Sequence, residues 1–417
     1  MKYFNDYYPC KNGTSDISKL LNKAILDSVG DTLVIDSGEY IASTIYLKSN
    51  VSIFLAKGAN IKMIDDISLL YDINDKRDSS INKPTWENCE YNGMPSKYYI
   101  YGKDIENFKI YGFGSIDGNE DIFKGVSSEY HIEGSFYPRV PLIFIENGKN
   151  ISFEGITLKR SAFWTLHLVG CDGVKIESIN IDNNPIFTNC DGIDPDHSKN
   201  IKISNCNISC ADDCIVIKNT EAYKKYGDSY NIDVLNCRLK STSAAIKFGT
   251  ESFNDFHDIT FKNINIYDTN RGIAFMLRDG GSAYNIYFEG ININNHQVSP
   301  LHWWGRGEPI HISNIKRQEK SIEGRIDNII FKDIDADSEN GIVVYGEKIN
   351  LIGLYNVKLK RHLKTNWPHK DIDLRPSIYN VIEGDFYDLN KIGSAKIEVI
   401  DSNFREVMVN GQAKNIH

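Results

Sequence analysis

The residues best suited to chemistry lie between 188 and 219, in TNCDGIDPDHSKNIKISNCNISCADDCIVIKN. Asp191 precedes a short run of alternating apolar and polar residues, and the adjacent pair Asp212–Asp213 follows it. Three carboxylates on one surface repel one another. They imply either bound cations or acid–base work, in which a neighbour's negative charge keeps one group protonated for donation. Adjacent strand residues point to opposite faces, so the Asp pair implies a turn or bulge in the backbone. A plainer alternative is that all three are turn residues closing loops.

What would bring them together is an internal repeat. The pattern x-N-I-x-[IF]-x-x-[IC]-x-[IL] recurs as KNISFEGITL (149–158), DGVKIESINI (172–181), KNIKISNCNI (199–208), YNIDVLNCRL (230–239), HDITFKNINI (257–266), YNIYFEGINI (284–293) and DNIIFKDIDA (327–336). An earlier copy is ENFKIYGFGS (106–115). Successive starts from 149 are 23, 27, 31, 27, 27 and 43 residues apart, and the first half of each copy alternates with the period of a strand. Such short strands bury little alone, so the repeat predicts stacked coils, each covering the apolar face of the last. Asp191 and the Asp pair, 21 residues apart, would then sit close together on adjacent turns. Asn at the second position suits a corner, because it tolerates left-handed backbone and can bond along a stack. Residues 14–29, TSDISKLLNKAILDSV, place Ile17, Leu20, Leu21, Ala24 and Ile25 on one helical face. That helix would cap the open end of the stack. The expected architecture is all-β: one right-handed parallel β-helix domain over residues 1–417, with an N-terminal capping helix.

Asn189-Cys190-Asp191-Gly192 is similar to the N-T-D-G motif of glycoside hydrolase family 28, the polygalacturonase family, and Ala211-Asp212-Asp213-Cys214 is similar to its G-D-D-C motif. Residues 139–174 also resemble the family's approach to its site, and the likeness runs from about residue 14 to 360. The resemblance implies an inverting hydrolase, in which one carboxylic acid protonates the leaving oxygen while carboxylate activates water on the opposite side. Carried over residue by residue, Asp212 is the general acid, and Asp191 with Asp213 bind and activate the water. Asn189 is expected beside the substrate. No cofactor or metal is implied.

Two further family motifs are missing. The G-H-G histidine falls at Ala244, within Ser243-Ala244-Ala245, and Ala274-Phe275-Met276 replace R-I-K. In polygalacturonases that Arg and Lys contact the substrate carboxylate, so the resemblance leaves acid–base chemistry intact while the usual sugar loses its anchors. Candidate replacements are Lys218, Lys247, Glu251 and Arg278, each with a plain alternative as a solvated surface charge. Arg278 is favoured, because a rigid guanidinium fork suits a carboxylate or vicinal hydroxyls. In the long 43-residue step, SPLHWWGRGEPIHIS (299–313) offers Trp303, Trp304 and Arg306 as a substrate-lining loop, since aromatic faces stack on sugar rings. Its alternative is a Trp plug packed onto the coils.

Composition restricts the competing classes. Hydrophobic residues at 41% and charged residues at 25% exclude wholesale disorder. A net charge of −9 argues against a dedicated nucleic-acid binder, and no run of about 18 apolar residues marks a membrane span. The N-terminal stretch lacks a secretory apolar core, so a cytoplasmic location with reduced thiols at its eight cysteines is expected. The expected partner is an oligosaccharide or polysaccharide, cleaved exo-wise, with oligomeric state open. Two other readings stay open: a polysaccharide lyase, which needs a basic proton abstractor and usually calcium, and a non-catalytic carbohydrate-binding β-helix.

Overall fold

The computed structural model describes residues 1–9, 12–72, 95, 97–300, 305–318, 320–361, 364–365, 367, 371–374, 377–380, 386–388, 396–402, 407–409 and 412–414. The chain divides into two compact units, 1–83 with 92–211 and 84–91 with 212–417.

In the first unit the strands form three parallel columns. One runs through Ser52–Leu55, Glu106–Gly112, Lys149–Glu154, Asp172–Glu177 and Lys199–Ser204. A second runs through Ala59–Met63, Ser115–Asp117, Thr157–Lys159, Asn180–Asp182 and Asn207–Cys210. The third runs through Ile45–Tyr46, Ile100–Lys103, Ile143–Glu146, Leu166–Val169 and Ile193–Asp196. The chain visits each column once per coil, which is a parallel β-helix, right-handed as parallel crossovers are. The repeat sets the register: Ile151 pairs with Val174 and then Ile201, Phe153 with Ile176 and then Ile203.

In the second unit two short strands give way to one long one. Ser229–Leu235 and Arg238–Ser241 both pair with the single 14-residue strand Phe256–Thr269, and Ala283–Asn295, Ile326–Ser338 and Leu351–Arg361 follow. A separate column runs through Ile215–Asn219, Ala244–Ser252, Arg271–Leu277, Ile310–Asn314 and Ile342–Gly346. Inward side chains stack in like pairs: the ring centroids of Phe261 and Phe288 are 5.1 Å apart, and those of Phe288 and Phe331 4.9 Å.

The corners are built as the repeat implies. Its second residue has left-handed backbone in every copy, at Asn107, Asn150, Gly173, Asn200, Asn231, Asp258, Asn285 and Asn328. The side-chain amides also bond from coil to coil. Asn150 Nδ2 donates to Asn107 Oδ1 at 2.7 Å, and Asn328 Nδ2 to Asn285 Oδ1 at 2.9 Å.

The capping helix is present but shorter than the sequence pattern suggests. It covers Ser18–Asp27, because Asn12–Asp16 form a strand and the Asp16 carboxylate accepts the Ser18 backbone N–H at 2.9 Å. Leu21 and Ile25 close over Ile45, Leu47, Ile53, Leu55 and Ile61 of the first coils. Leu20 is the exception to the predicted face, at 39% exposed. The six described cysteines are free thiols, all buried, among them Cys206 and Cys237 at equivalent repeat positions. Among the described residues no helix is long and apolar enough to cross a membrane.

Because Phe288 sits between two stacked rings in a fully buried row, Phe288→Ala should destabilise the protein by about 3–5 kcal/mol. Urea unfolding checks this, and a loss under about 1 kcal/mol would contradict the stacked-core description.

Candidate active site

Asp191 ends a turn in the first unit that is pinned from several sides. Its carbonyl accepts both the Thr165 N–H at 3.0 Å and the Thr165 hydroxyl at 2.6 Å. Asn183 donates to the same hydroxyl at 2.7 Å, and Arg139 reaches across to the carbonyls of Ala162 and Thr188. The carboxylate-bearing residue is thereby held at 2% exposure, with Asn189 half-buried just before it in left-handed backbone. Trp164 is buried, stacked on Phe163 and edge-on to His167.

Next to this turn the third column presents a ladder that the sequence reading did not pick out. Tyr46, Tyr101, Phe144, His167 and Asp194 occupy one register position on successive coils. Tyr71 adds a ring between Tyr46 and Tyr101, 5.7 Å from each. His167 Nε2 lies 3.1 Å from Asp196 Oδ2, both fully buried. Aligning the strands of the third column, rather than the x-N-I repeat alone, would have exposed this row of rings.

In the second unit the Asp pair lies in the predicted bend, just before the strand Ile215–Asn219. Carboxylate oxygens of Asp212 and Asp213 come within 4.8 Å of each other. The Asp212 carbonyl accepts the Ser241 hydroxyl, whose oxygen also accepts the Ser243 N–H at 2.8 Å. Asp213 is enclosed: Oδ1 accepts the Ser243 hydroxyl at 2.9 Å and the Ala244 N–H at 3.2 Å, and Oδ2 pairs with Lys247 Nζ at 2.8 Å.

The other candidates do not behave as solvated charges. Lys218, Lys247, Glu251, Arg278 and Arg306 are all buried. Glu251 Oε1 accepts the Glu221 N–H, and Arg306 donates to the Gly305 carbonyl. The two terminal nitrogens of Arg278 are bonded to the Leu277 and Ser313 carbonyls and the Ser313 hydroxyl. The strand pairing that buries it also supplies those acceptors. Trp303 and Trp304 lie outside the described residues.

The sequence matches the family description "Glycosyl hydrolases family 28" over residues 76–359. The chain belongs to that family. It is accordingly a glycoside hydrolase, which supersedes the lyase and non-catalytic readings. The hydrolase is 25% identical over 382 residues to an endo-polygalacturonase of Pectobacterium carotovorum subsp. carotovorum, a match covering 87% of each chain. It is also 25% identical over 204 residues to an alpha-L-rhamnosidase of Aspergillus niger, covering 46% of this chain and 44% of that one. Its fold resembles the exopolygalacturonase of Thermotoga maritima, with a TM-score of 0.69 and 20% identity, over 99% of this chain and 92% of that one.

The hydrolase departs from the family pattern at positions that the strand register now places. Ala274 pairs with Lys247 and Met276 with Gly249 on the neighbouring strand. Ala244, Ala274 and Met276 form one buried apolar cluster. The cations beside it are engaged by the protein: Lys247 by Asp213, and Arg271 by Glu308 at 3.6 Å while its NH1 approaches Met276 Sδ at 3.5 Å. Glu308 also faces His311 Nδ1 at 3.6 Å and accepts the Arg306 N–H at 2.6 Å. Burial alone would raise its pKa, but Arg271, His311 and that N–H outweigh burial and bring it to about 2, against an ordinary 4.5.

A carboxylate whose folded pKa is depressed contributes stability above its unfolded pKa and loses it as pH falls toward the folded value. Glu308 should therefore stabilise the hydrolase above about pH 4.5 and lose that contribution between there and about pH 2. Glu308→Gln is expected to destabilise at pH 7 and to differ less from wild type at pH 3, as read by urea unfolding at both values. An equal difference at the two pH values would remove Glu308 from the ion pair.

Proposed function

We propose that the chain is an inverting, end-acting hydrolase of short pectic oligosaccharides that is poor on polygalacturonate. In this reading residues 1–417 are one catalytic domain, and Asp191, Asp212 and Asp213 form one site. Asp212 acts as general acid, and a water held by Asp191 opposite the leaving group attacks in a single displacement. Three observations support the assignment: family membership, the 21-residue spacing of Asp191 from the pair, and the proximity of the Asp212 and Asp213 carboxylates.

The observation that carries the substrate reading is the buried apolar cluster of Ala244, Ala274 and Met276, standing where the family pattern has His, Arg and Lys. A charge-assisted bond to a carboxylate is worth roughly 1.5–3 kcal/mol. Neither Lys247 nor Arg278 offers an evident replacement, since each is already bonded to protein acceptors. An apolar wall is better matched to a sugar carrying a methyl or an unmodified ring than to a uronate. The likeness to an alpha-L-rhamnosidase is consistent with a neutral terminal sugar. Tyr46 and Tyr101, the accessible members of the ring ladder, supply faces on which further sugar rings could stack.

Asp212→Asn should lower kcat by about 10²–10⁴-fold, since the amide keeps the size and loses the donated proton. Activity within threefold of wild type would remove Asp212 from the acid role.

On a panel of polygalacturonate, short galacturonate oligomers and rhamnose-terminated pectic fragments, products should be released one unit at a time from chain ends. Polygalacturonate should be turned over about two to four orders of magnitude more slowly than by an enzyme retaining both cations. Rapid loss of viscosity in polygalacturonate solutions would overturn the apolar-wall argument.

A further inference from the structure

Lys247 is placed by the register of the strand Ala244–Ser252, between Val216 on one side and Ala274 on the other. It is 7% exposed, and its ammonium lies 2.8 Å from Asp213 Oδ2 in an ion pair whose acidic partner is 1% exposed. Breaking a buried pair leaves an uncompensated charge, so an ammonium in this position does not readily leave its carboxylate to meet a ligand. The other oxygen of Asp213 is held by the Ser243 hydroxyl and the Ala244 N–H. The Ala244 contact comes from the backbone, so it survives the loss of an imidazole at that position. Both oxygens of Asp213 are thus committed to the strand Ala244–Ser252 and the residue before it.

A continuous set of contacts leads from there to Asp212. Ser243 bonds Asp213 through its hydroxyl and Ser241 Oγ through its N–H, and the Ser241 hydroxyl holds the Asp212 carbonyl. The bend carrying Asp212 is therefore fastened at one end by its own carbonyl and at the other by the Asp213 carboxylate. Of the groups touching that carboxylate, Lys247 is the one that brings a full charge.

We propose that Lys247 is a positioning residue for the hydrolytic step: it fixes the Asp213 carboxylate, and through it the bend that presents Asp212, and it does not bind substrate. On this view Asp213 is a fixed counter-ion, and the attacking water is left to Asp191. The inference rests on Asp212 being the acid, as proposed above.

Steady-state kinetics on the shortest pectic oligosaccharide cleaved in the panel provide the test, with wild type, Lys247→Met, Lys247→Arg and Asp212→Asn side by side. A displaced acid costs about 10²-fold in rate for a misplacement of about 1 Å. Lys247→Met should therefore lower kcat about 10²-fold while KM stays within threefold, and Lys247→Arg should recover at least tenfold of that loss. A tenfold rise in KM with kcat unchanged would make Lys247 a substrate ligand and overturn the proposal, as would wild-type kinetics in Lys247→Met. Should Lys247→Met fold poorly, a double-mutant cycle with Asp213→Asn in urea unfolding decides. The double variant should recover at least tenfold of the unfolding equilibrium constant lost in Lys247→Met, and a coupling below threefold would refute the pair. Wild-type-like activity in Asp212→Asn would instead sink the acid assignment while leaving that coupling in place, so the two failures are read separately.

Discussion

A stack of parallel coils depends on turning the same corner again and again without leaving buried backbone groups unbonded. Here the corner is a single residue in left-handed backbone, and its side chain does a second task. Asn150 reaches Asn107 and Asn328 reaches Asn285, so these corners are tied to the ones on the neighbouring coil. A larger or β-branched residue would be strained at that φ, and alanine could not bond along the stack. Everything further in, from the isoleucine rows to the phenylalanine stack, inherits its register from these corners.

That dependence explains what could be read from the amino-acid sequence. The corner asparagine and the alternating residues after it are local features, and they recur, so the coils and their register were legible. The bend at Asp212–Asp213 was legible too, from the rule that neighbouring strand residues face opposite ways. Burial of the charged residues was not. Lys247 and Arg278 read either as substrate contacts or as solvated charges, and only pairing across coils shows that each is buried against protein partners. The ladder from Tyr46 to His167 was missed for a related reason: its members lie 55, 43 and 23 residues apart, in strands that the x-N-I pattern does not mark.

The second unit tolerates this much buried charge because its strands bring acceptors with them. Arg278 is answered by two carbonyls and a serine, and Glu308 by Arg271, His311 and a backbone N–H. Desolvating such groups is expensive unless they are paired, and pairing fixes their geometry. Beside Asp213 that definition falls on a carboxylate in the candidate site, next to an apolar patch of small residues and one methionine.

Coil geometry also makes the third column of the first unit a ruler. Neighbouring strands in a sheet are about 4.8 Å apart, so outward side chains at one register position recur in steps of that length. Tyr46, Tyr101, Phe144, His167 and Asp194 are successive marks on it. A contact on this wall can be exchanged for another by a single substitution with the backbone unmoved, but it cannot be shifted by half a step. Such a row changes like text on a fixed grid, one character at a time, and lengthening it means adding a whole line.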